Sequence, residues 1–382
     1  MPFTLRENNG QNVTVRVGPT WKADPSPLEL AKLLNFVSPD ENIANKDYDL
    51  VIVGGGPAGM STAISGAGLG LTTLVLEDDA VGGQAGTSIN RIDNHYGFPG
   101  GVAASDLVQR GLNQTFNLDA HVLPGLRATK IEQLATPASR RFRVHWHAEG
   151  EQPAVVTAGI VVVASGRVPR RVIPKDGSGA NNEDKYADRG LYYDAVLADA
   201  DATVRGKRIA IVGAGDTAGR AAVMFAQHGA GVTMVVRGEF SMGTALKKQI
   251  DELMQRKLIV LKQPYDVVDF AGDDTHLTQI KIKHKDARPE SLDVDRVYAL
   301  IGGVPSTTWL NDLDVRFGNK LLDKKRFIRT EQPNEVFATP LPMQTVVPGL
   351  FAIGDVRSLA SCSASPKPPG KEPPSQCRST CT

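Results

Sequence analysis

Cysteine is nearly absent from this sequence. Its three copies, Cys362, Cys377 and Cys381, all lie beyond position 361. Residues 1–361 therefore hold no thiol, no disulfide and no thiolate metal site, so redox chemistry in the body of the chain requires a bound cofactor. An excess of one charge is also absent. Lys and Arg number 43, Asp and Glu 42, and the net charge is +1. That balance gives no electrostatic case for nucleic acid or an anionic membrane as partner. No apolar run approaches the roughly 18 residues that span a bilayer. The start, MPFTLRENNG, has no charged-then-apolar leader, and the expectation is a cytoplasmic protein. Glycine, by contrast, is plentiful, at 38 of 382 residues against a usual level of about 7 %. Hydrophobic residues at 41 % and charged residues at 22 % describe a globular chain, long enough for two or three domains of about 100–200 residues each.

Many of the glycines fall in two similar stretches. DYDLVIVGGGPAGMSTAISGAGLGLTTLVLE, from residue 47, reads strand, glycine turn, helix, strand. GKRIAIVGAGDTAGRAAVMFAQHGAGVTMVVRG, from residue 206, repeats that order; both are βαβ units. Residues 1–46 read as an extension. FTLRENNGQNVTVRVG alternates around NNG and predicts a hairpin. PSPLELAKLLNF predicts a short amphipathic helix with Leu28, Leu30, Leu33 and Leu34 on its apolar side. RRFRVHWHAEG alternates strictly, which predicts a meander strand with Phe142, Val144 and Trp146 inward. His145 and His147 then share the outer face with no third metal ligand in sight. SGANNEDK (178–185) is polar and predicts a surface loop, and the proline-rich tail SPKPPGKEPPSQCRSTCT cannot form a helix.

The first turn is Gly54-x-Gly56-x-x-Gly59, directly after DLVIV. Glycines at this spacing allow a tight turn, close backbone approach to a pyrophosphate and tight helix–strand packing, with the helix N-terminus facing the phosphates. Glu77 ends the second strand, where a carboxylate binds ribose hydroxyls. The second turn is Gly213-x-Gly215-x-x-Ala218, and the strand after it ends in VVRG. Arg237 thus stands near where Glu77 stands in the first unit. An acid there favours a free 2′-hydroxyl and an arginine a 2′-phosphate, so one site is expected to take FAD and the other NADPH. The competing reading of Arg237 is a solvated strand-end residue. Two dinucleotide folds in one chain imply electron transfer between a held cofactor and an exchangeable one.

The order of the motifs resembles the low-molecular-weight thioredoxin reductase family. GGGPAG (54–59), GGQAG (82–86), IDNHYGFPG (92–100), VVVASGRVPR (161–170), GAGDTA (213–218), VYALIGGVPST (297–307) and VPGLFAIGD (347–355) fall in the family's order, over residues 47–355. The resemblance implies an α/β fold of two Rossmann-like, three-layer ββα nucleotide-binding domains, with the NADP domain inserted into the FAD domain. The expected boundaries are an extension at 1–46, FAD domain at 47–171 and 293–357, NAD(P)H domain at 172–292, and an aberrant, disordered tail at 358–382. It implies that Gly54, Gly56, Pro57, Ala58, Gly59 and Glu77 hold the adenosine diphosphate of FAD, with Val122. Gly83, Gln84 and Asn94 would lie along the ribityl chain and flavin, and Asp355 would bond the ribityl–phosphate part. Gly213, Gly215, Asp216, Thr217, Ala218 and Arg237 would hold NADP. A homodimer is implied too, as is a hinge rotation between the domains.

Two departures matter. The family's CxxC dithiol follows an R-G-x-x-x pattern, and this chain reads Arg189-Gly190-Leu191-Tyr192-Tyr193-Asp194-Ala195 with no cysteine. That resembles the family's Cys-free branches, ferredoxin–NADP reductases of this type and a bacterial group with regulatory or glutaredoxin-like domains. The implied acceptor is then external, a small molecule or a small redox protein. Tyr192 and Tyr193 could stack near the flavin or simply pack as aromatic residues. The second departure is the end. Where the family has a helix resembling V-A-x-A-x-G-E-G, this chain has SLASCSASPKPPGKEPPSQCRSTCT. From the third base of the Ala364 codon a shifted frame permits Val-Ala-Glu-Ala-Ala-Gly-Glu-Gly, so the tail reads as a frame-shifted version of that helix. The competing readings are a thioredoxin-disulfide reductase using Cys377 and Cys381 as a mobile dithiol, and a non-catalytic flavin or nucleotide sensor.

Overall fold

The computed structural model describes residues 3–8, 12–17, 20–23, 25–33, 43–87, 91–92, 95–134, 142–149, 152–172, 182–187, 189–193, 204–285, 287–331, 339 and 341–358. Leu34, Asn94 and the tail from 359 lie outside them. The chain forms two units. Unit 1 comprises 1–87, 91–167 and 305–382, and unit 2 comprises 88–90 and 168–304. The chain leaves unit 1 after Arg167 and returns after Val304. The return comes later than the expected 292/293 boundary because Arg296–Ala299 is an interior strand of the sheet of unit 2.

In unit 1 the strand Asp47–Val53 is buried from Leu50 onward, as a parallel strand covered on both faces must be. It pairs in parallel with Thr73–Glu77 on one side and Ala154–Val163 on the other. His121–Pro124 extends the sheet beyond Thr73–Glu77, and Leu350–Ala352 pairs with the end of Ala154–Val163. That long strand joins two kinds of sheet. Its first half pairs antiparallel with Phe142–Ala148, which pairs in turn with Leu126–Gln133. Val144 stands opposite both Val156 and Ile131, and all three are buried. Phe142 and Trp146 are buried on the same face, as their alternation predicts. His145 faces the other way, with Nε2 3.2 Å from Glu132. Among the described residues no group of His, Cys, Asp and Glu could hold a metal ion, and no helix is long and apolar enough to cross a membrane.

The first residues form a three-stranded antiparallel sheet, Phe3–Asn8, Asn12–Val17 and Thr20–Ala23, one strand more than the predicted hairpin. The helix Pro27–Leu33 begins on a capping box: Glu29 N–H donates to Ser26 Oγ (3.3 Å) and Ser26 N–H to Glu29 Oε2 (3.0 Å), with proline at the first helical position. This helix is part of the core. Leu28 and Ala31 are buried with Leu123 and Leu126 in the main apolar cluster of unit 1. The approach is close because Gly125 has φ +75° and no side chain. A Cβ there would lie 2.9 Å from the Leu28 nitrogen. Gly125→Ala combines a forbidden φ with that clash and is expected to cost roughly 1–3 kcal/mol, read as a fall in Tm.

Unit 2 is a five-stranded parallel sheet in the order Leu191–Tyr192, Arg296–Ala299, Arg208–Val212, Gly231–Val235, Ile259–Lys262. A three-stranded antiparallel sheet, Asp266–Gly272, Leu277–Lys283 and Glu290–Asp293, follows the last of these. The stretch 178–185, expected as a surface loop, differs in the structure. It is no surface loop at its end: Glu183–Tyr186 is a helical turn with Glu183 and Tyr186 buried. Polar composition concealed this, because Glu183 is buried by partners outside its own stretch, Val172 and Tyr193.

Candidate cofactor-binding sites

In unit 1 the helix Pro57–Gly68 starts at Gly56 with no side-chain cap. Its first N–H groups therefore stay available to an anion. The turn before it is a contact between backbones. A Cβ on Gly54 (φ +109°) would strike the main chain of Ala164 and Ser165, and one on Gly59 would land on the carbonyl oxygen of Gly54. At Gly56 an added Cβ meets nothing within 4 Å, so that side of the turn is open. Glu77 closes the other side: its Oε2 accepts from Gly55 N–H at 2.5 Å and its Oε1 from Asp79 N–H at 3.1 Å. Burial pushes the Glu77 carboxyl above its ordinary range, against the pull of those two donors. An open glycine cradle, an uncapped helix end and a carboxylate at the ribose position fit the adenosine diphosphate of FAD.

Three more expected residues converge here. Gly82 N–H donates to the Gly55 carbonyl at 2.9 Å, which brings the loop of Gly83 and Gln84 against the turn. Gln84 Nε2 donates to the Arg167 carbonyl at 2.9 Å. Gly354 lies against Ala58, and a Cβ on it would come within 2.9 Å of that side chain. Asp355 follows, with Oδ2 accepting from Arg167 Nη2 at 2.5 Å. Pro57 is the first residue of the helix. Val122 is buried, paired with Val75 across the sheet. Asn94 lies outside the described residues.

In unit 2 the geometry repeats. The helix Asp216–Gln227 starts at Gly215, also without a side-chain cap. A Cβ on Gly213 (φ +146°) would collide with the Leu300 carbonyl, whereas one on Gly215 meets only Ser241 Oγ, at 3.8 Å. Asp216 Oδ1 accepts from Gly243 N–H at 2.8 Å, Thr217 lies on the pocket wall and Ala218 is buried beneath the turn. A cavity of about 670 Å³ opens over the turn, lined by Arg170, Arg171, Arg237, Tyr265 and Asp266 among others. Arg237 is largely exposed, with Nε 3.9 Å from Asp266, free to turn toward a phosphate. This cradle fits NADP. Tyr192 stacks on Tyr298 (5.3 Å between centroids), and Tyr193 donates to Glu183, so both rings have partners within unit 2. The sequence reading missed Arg167, Arg170, Arg171 and Glu183. The basic run GRVPRR was the available signal.

A family model described as pyridine nucleotide-disulphide oxidoreductase matches residues 48–373. The chain belongs to this family. Thioredoxin reductase of Eremothecium gossypii is 28 % identical over 317 residues, covering 81 % of this chain and 90 % of that protein. A 34.2 kDa protein in the rubredoxin operon of Clostridium pasteurianum is 26 % identical over 314 residues, covering 82 % and 90 %. Among solved structures, thioredoxin reductase of T. acidophilum has a TM-score of 0.66 at 22 % identity, covering 82 % of this chain and 91 % of that one. That of Lactococcus lactis has 0.65 at 24 %, covering 81 % and 90 %. These two carry the fold alone. The chain is thus an oxidoreductase with a thioredoxin-reductase-like fold, and FAD and NADPH are the cofactors of its family.

The two cradles are separable by mutation. Gly59→Ala is expected to weaken FAD binding by about tenfold to a hundredfold while unit 2 still binds NADP⁺. Gly213→Ala is expected to do the reverse. Flavin absorbance of the purified protein and calorimetric titration with NADP⁺ read the two effects.

Proposed function

We propose that this chain is an FAD-dependent, NADPH-oxidising enzyme that delivers electrons to an external acceptor, not to a dithiol of its own. The observation that carries this reading is the pair of glycine cradles, each on an uncapped helix N-terminus, one beside Glu77 and the other beside Arg237. The cysteine count supports the second half. No thiol occurs before Cys362, and the stretch after Arg189-Gly190 carries tyrosines and Asp194. With both coenzymes bound, the chemistry supplied is hydride transfer from the nicotinamide to the flavin, followed by electron passage to the acceptor. The protein's own part is to bind and orient. Glu77 selects a free ribose hydroxyl, the helix ends face the diphosphates, and Arg237 pairs with the 2′-phosphate. The acceptor is a small molecule or a small redox protein.

An anaerobic visible spectrum before and after NADPH tests the reading. Flavin bands should bleach, and NADPH consumption with ferricyanide should continue. Doubly replacing Cys377 and Cys381 by alanine should leave that turnover unchanged. Bands that persist with NADPH would sink the enzyme reading in favour of a sensor, and turnover abolished by the cysteine replacements would restore an internal dithiol. Arg237→Ala should narrow the preference for NADPH over NADH about tenfold or more, since a charge-assisted pair with phosphate is lost. The ratio of kcat/KM for the two coenzymes checks this.

A further inference from the structure

The cavity of unit 2 has a second basic wall outside its glycine turn. Arg170 and Arg171 line it together with Arg237. The sheet order separates these arginines. Arg237 follows the strand Gly231–Val235, on one side of the central strand Arg208–Val212. Arg170 N–H donates to the Gly302 carbonyl at 2.9 Å, and Gly302 follows the strand Arg296–Ala299 on the other side. A dinucleotide laid across such a turn puts its diphosphate over the glycines and one half on each side. Arg237 thus belongs to the adenosine half and Arg171 to the nicotinamide half.

Arg171 is not left to find its own position. Its Nη1 donates to Tyr193 Oη at 3.0 Å, and its guanidinium lies 4.9 Å from the Tyr193 ring centroid. Tyr193 Oη donates to Glu183 Oε1 at 2.5 Å. The same oxygen accepts Val172 N–H at 2.6 Å. The direction of this chain of bonds is forced. A guanidinium only donates, so the phenol oxygen must accept from the arginine, and the phenol's one proton turns to the carboxylate oxygen. Burial and the bond to Glu183 strengthen the phenol's hold on its proton. Glu183 is 1 % exposed, so its single carboxylate fixes both the backbone beside Arg171 and, through the tyrosine, the guanidinium itself. The salt bridge from Arg171 to Asp184 at 2.9 Å is well exposed and contributes little.

We propose that Glu183 and Tyr193 are positioning residues that hold Arg171 on the nicotinamide side of this cavity, where its guanidinium engages a phosphate oxygen of the coenzyme. The proposal rests on the reading that unit 2 binds NADP(H). An arginine held in this way offers a planar fork to the diphosphate with less rotamer freedom left to lose. Tyr193 then serves the nicotinamide coenzyme.

The test uses the full-length chain and two calorimetric ligands, NADP⁺ and its adenosine-half fragment 2′,5′-ADP. Tyr193→Phe and Arg171→Ala are each expected to weaken NADP⁺ about fivefold to tenfold and to leave 2′,5′-ADP unchanged. The double variant should bind NADP⁺ no more weakly than Arg171→Ala, because the tyrosine acts through the arginine. Glu183→Gln, which keeps an acceptor but loses its charge, should show a smaller loss for NADP⁺ alone. Tyr193→Phe weakening both ligands alike would mark a merely structural role and overturn the proposal, as would additive losses in the double variant or no loss at all. A wild-type chain that binds neither ligand would overturn the reading of unit 2, and the proposal with it.

Discussion

Both nucleotide cradles depend on one constraint: main chain touching main chain where any side chain would stand. In unit 1 the turn at Gly54 lies against the backbone of Ala164 and Ser165, and Gly59 lies against Gly54. In unit 2 Gly213 lies against Leu300. The contacts at Gly54 and Gly213 tie the end of one parallel strand to the end of its neighbour, the contact at Gly59 seats the helix on its own turn, and together they set the helix N–H groups over the crevice. The hydrophobic strands supply the stability, but these contacts decide where the helix ends point. A Cβ at Gly54, Gly59 or Gly213 would lie under 3.0 Å from a carbonyl oxygen, so the main chain that carries the helix donors would have to shift.

Around the cradles the two units differ in charge. Unit 1 places a half-buried carboxylate, Glu77, at the end of the second strand, held by the Gly55 and Asp79 amides. Desolvation outweighs those donors and raises its proton affinity, a cost that a ribose diol could offset by donating to it. Unit 2 places an exposed Arg237 at the corresponding point and adds Arg171 across the central strand. One buried carboxylate in unit 2, Glu183, faces a tyrosine and a backbone amide instead of a ligand. Buried charge is costly wherever it is not hydrogen-bonded, and each of these carboxylates is paired with donors from its own unit.

Much of this was legible in the residues. The run DLVIV before Gly54, the acid at Glu77 and the repeat at residues 213–218 carry local signals: strand burial, turn chemistry and helix start lie within a short window. The alternation of Phe142, Val144 and Trp146 is equally local, and all three are buried. The third strand Thr20–Ala23 was not read from the residues although Gly18-Pro19 marks a turn before it, because a run of four residues is too short to show an alternation. The burial of Glu183 was hidden for a different reason. Its composition says loop, and only the approach of Val172 and Tyr193 gives the carboxylate partners worth leaving water for.

The sequence alone determined the two glycine turns, their flanking strands and helices, and the opposite charges at Glu77 and Arg237. These follow from short-range periodicity and from the special backbone angles that only glycine adopts freely. Tertiary structure alone decided that the helix Pro27–Leu33 enters the core of unit 1 beside Gly125. It also decided that the chain returns after Val304, and that Arg171 stands on the cavity wall with Tyr193 and Glu183 behind it. Each of those outcomes is a contact between residues distant in the chain, and burial energy at such contacts is a property of the folded arrangement, not of any local run of residues.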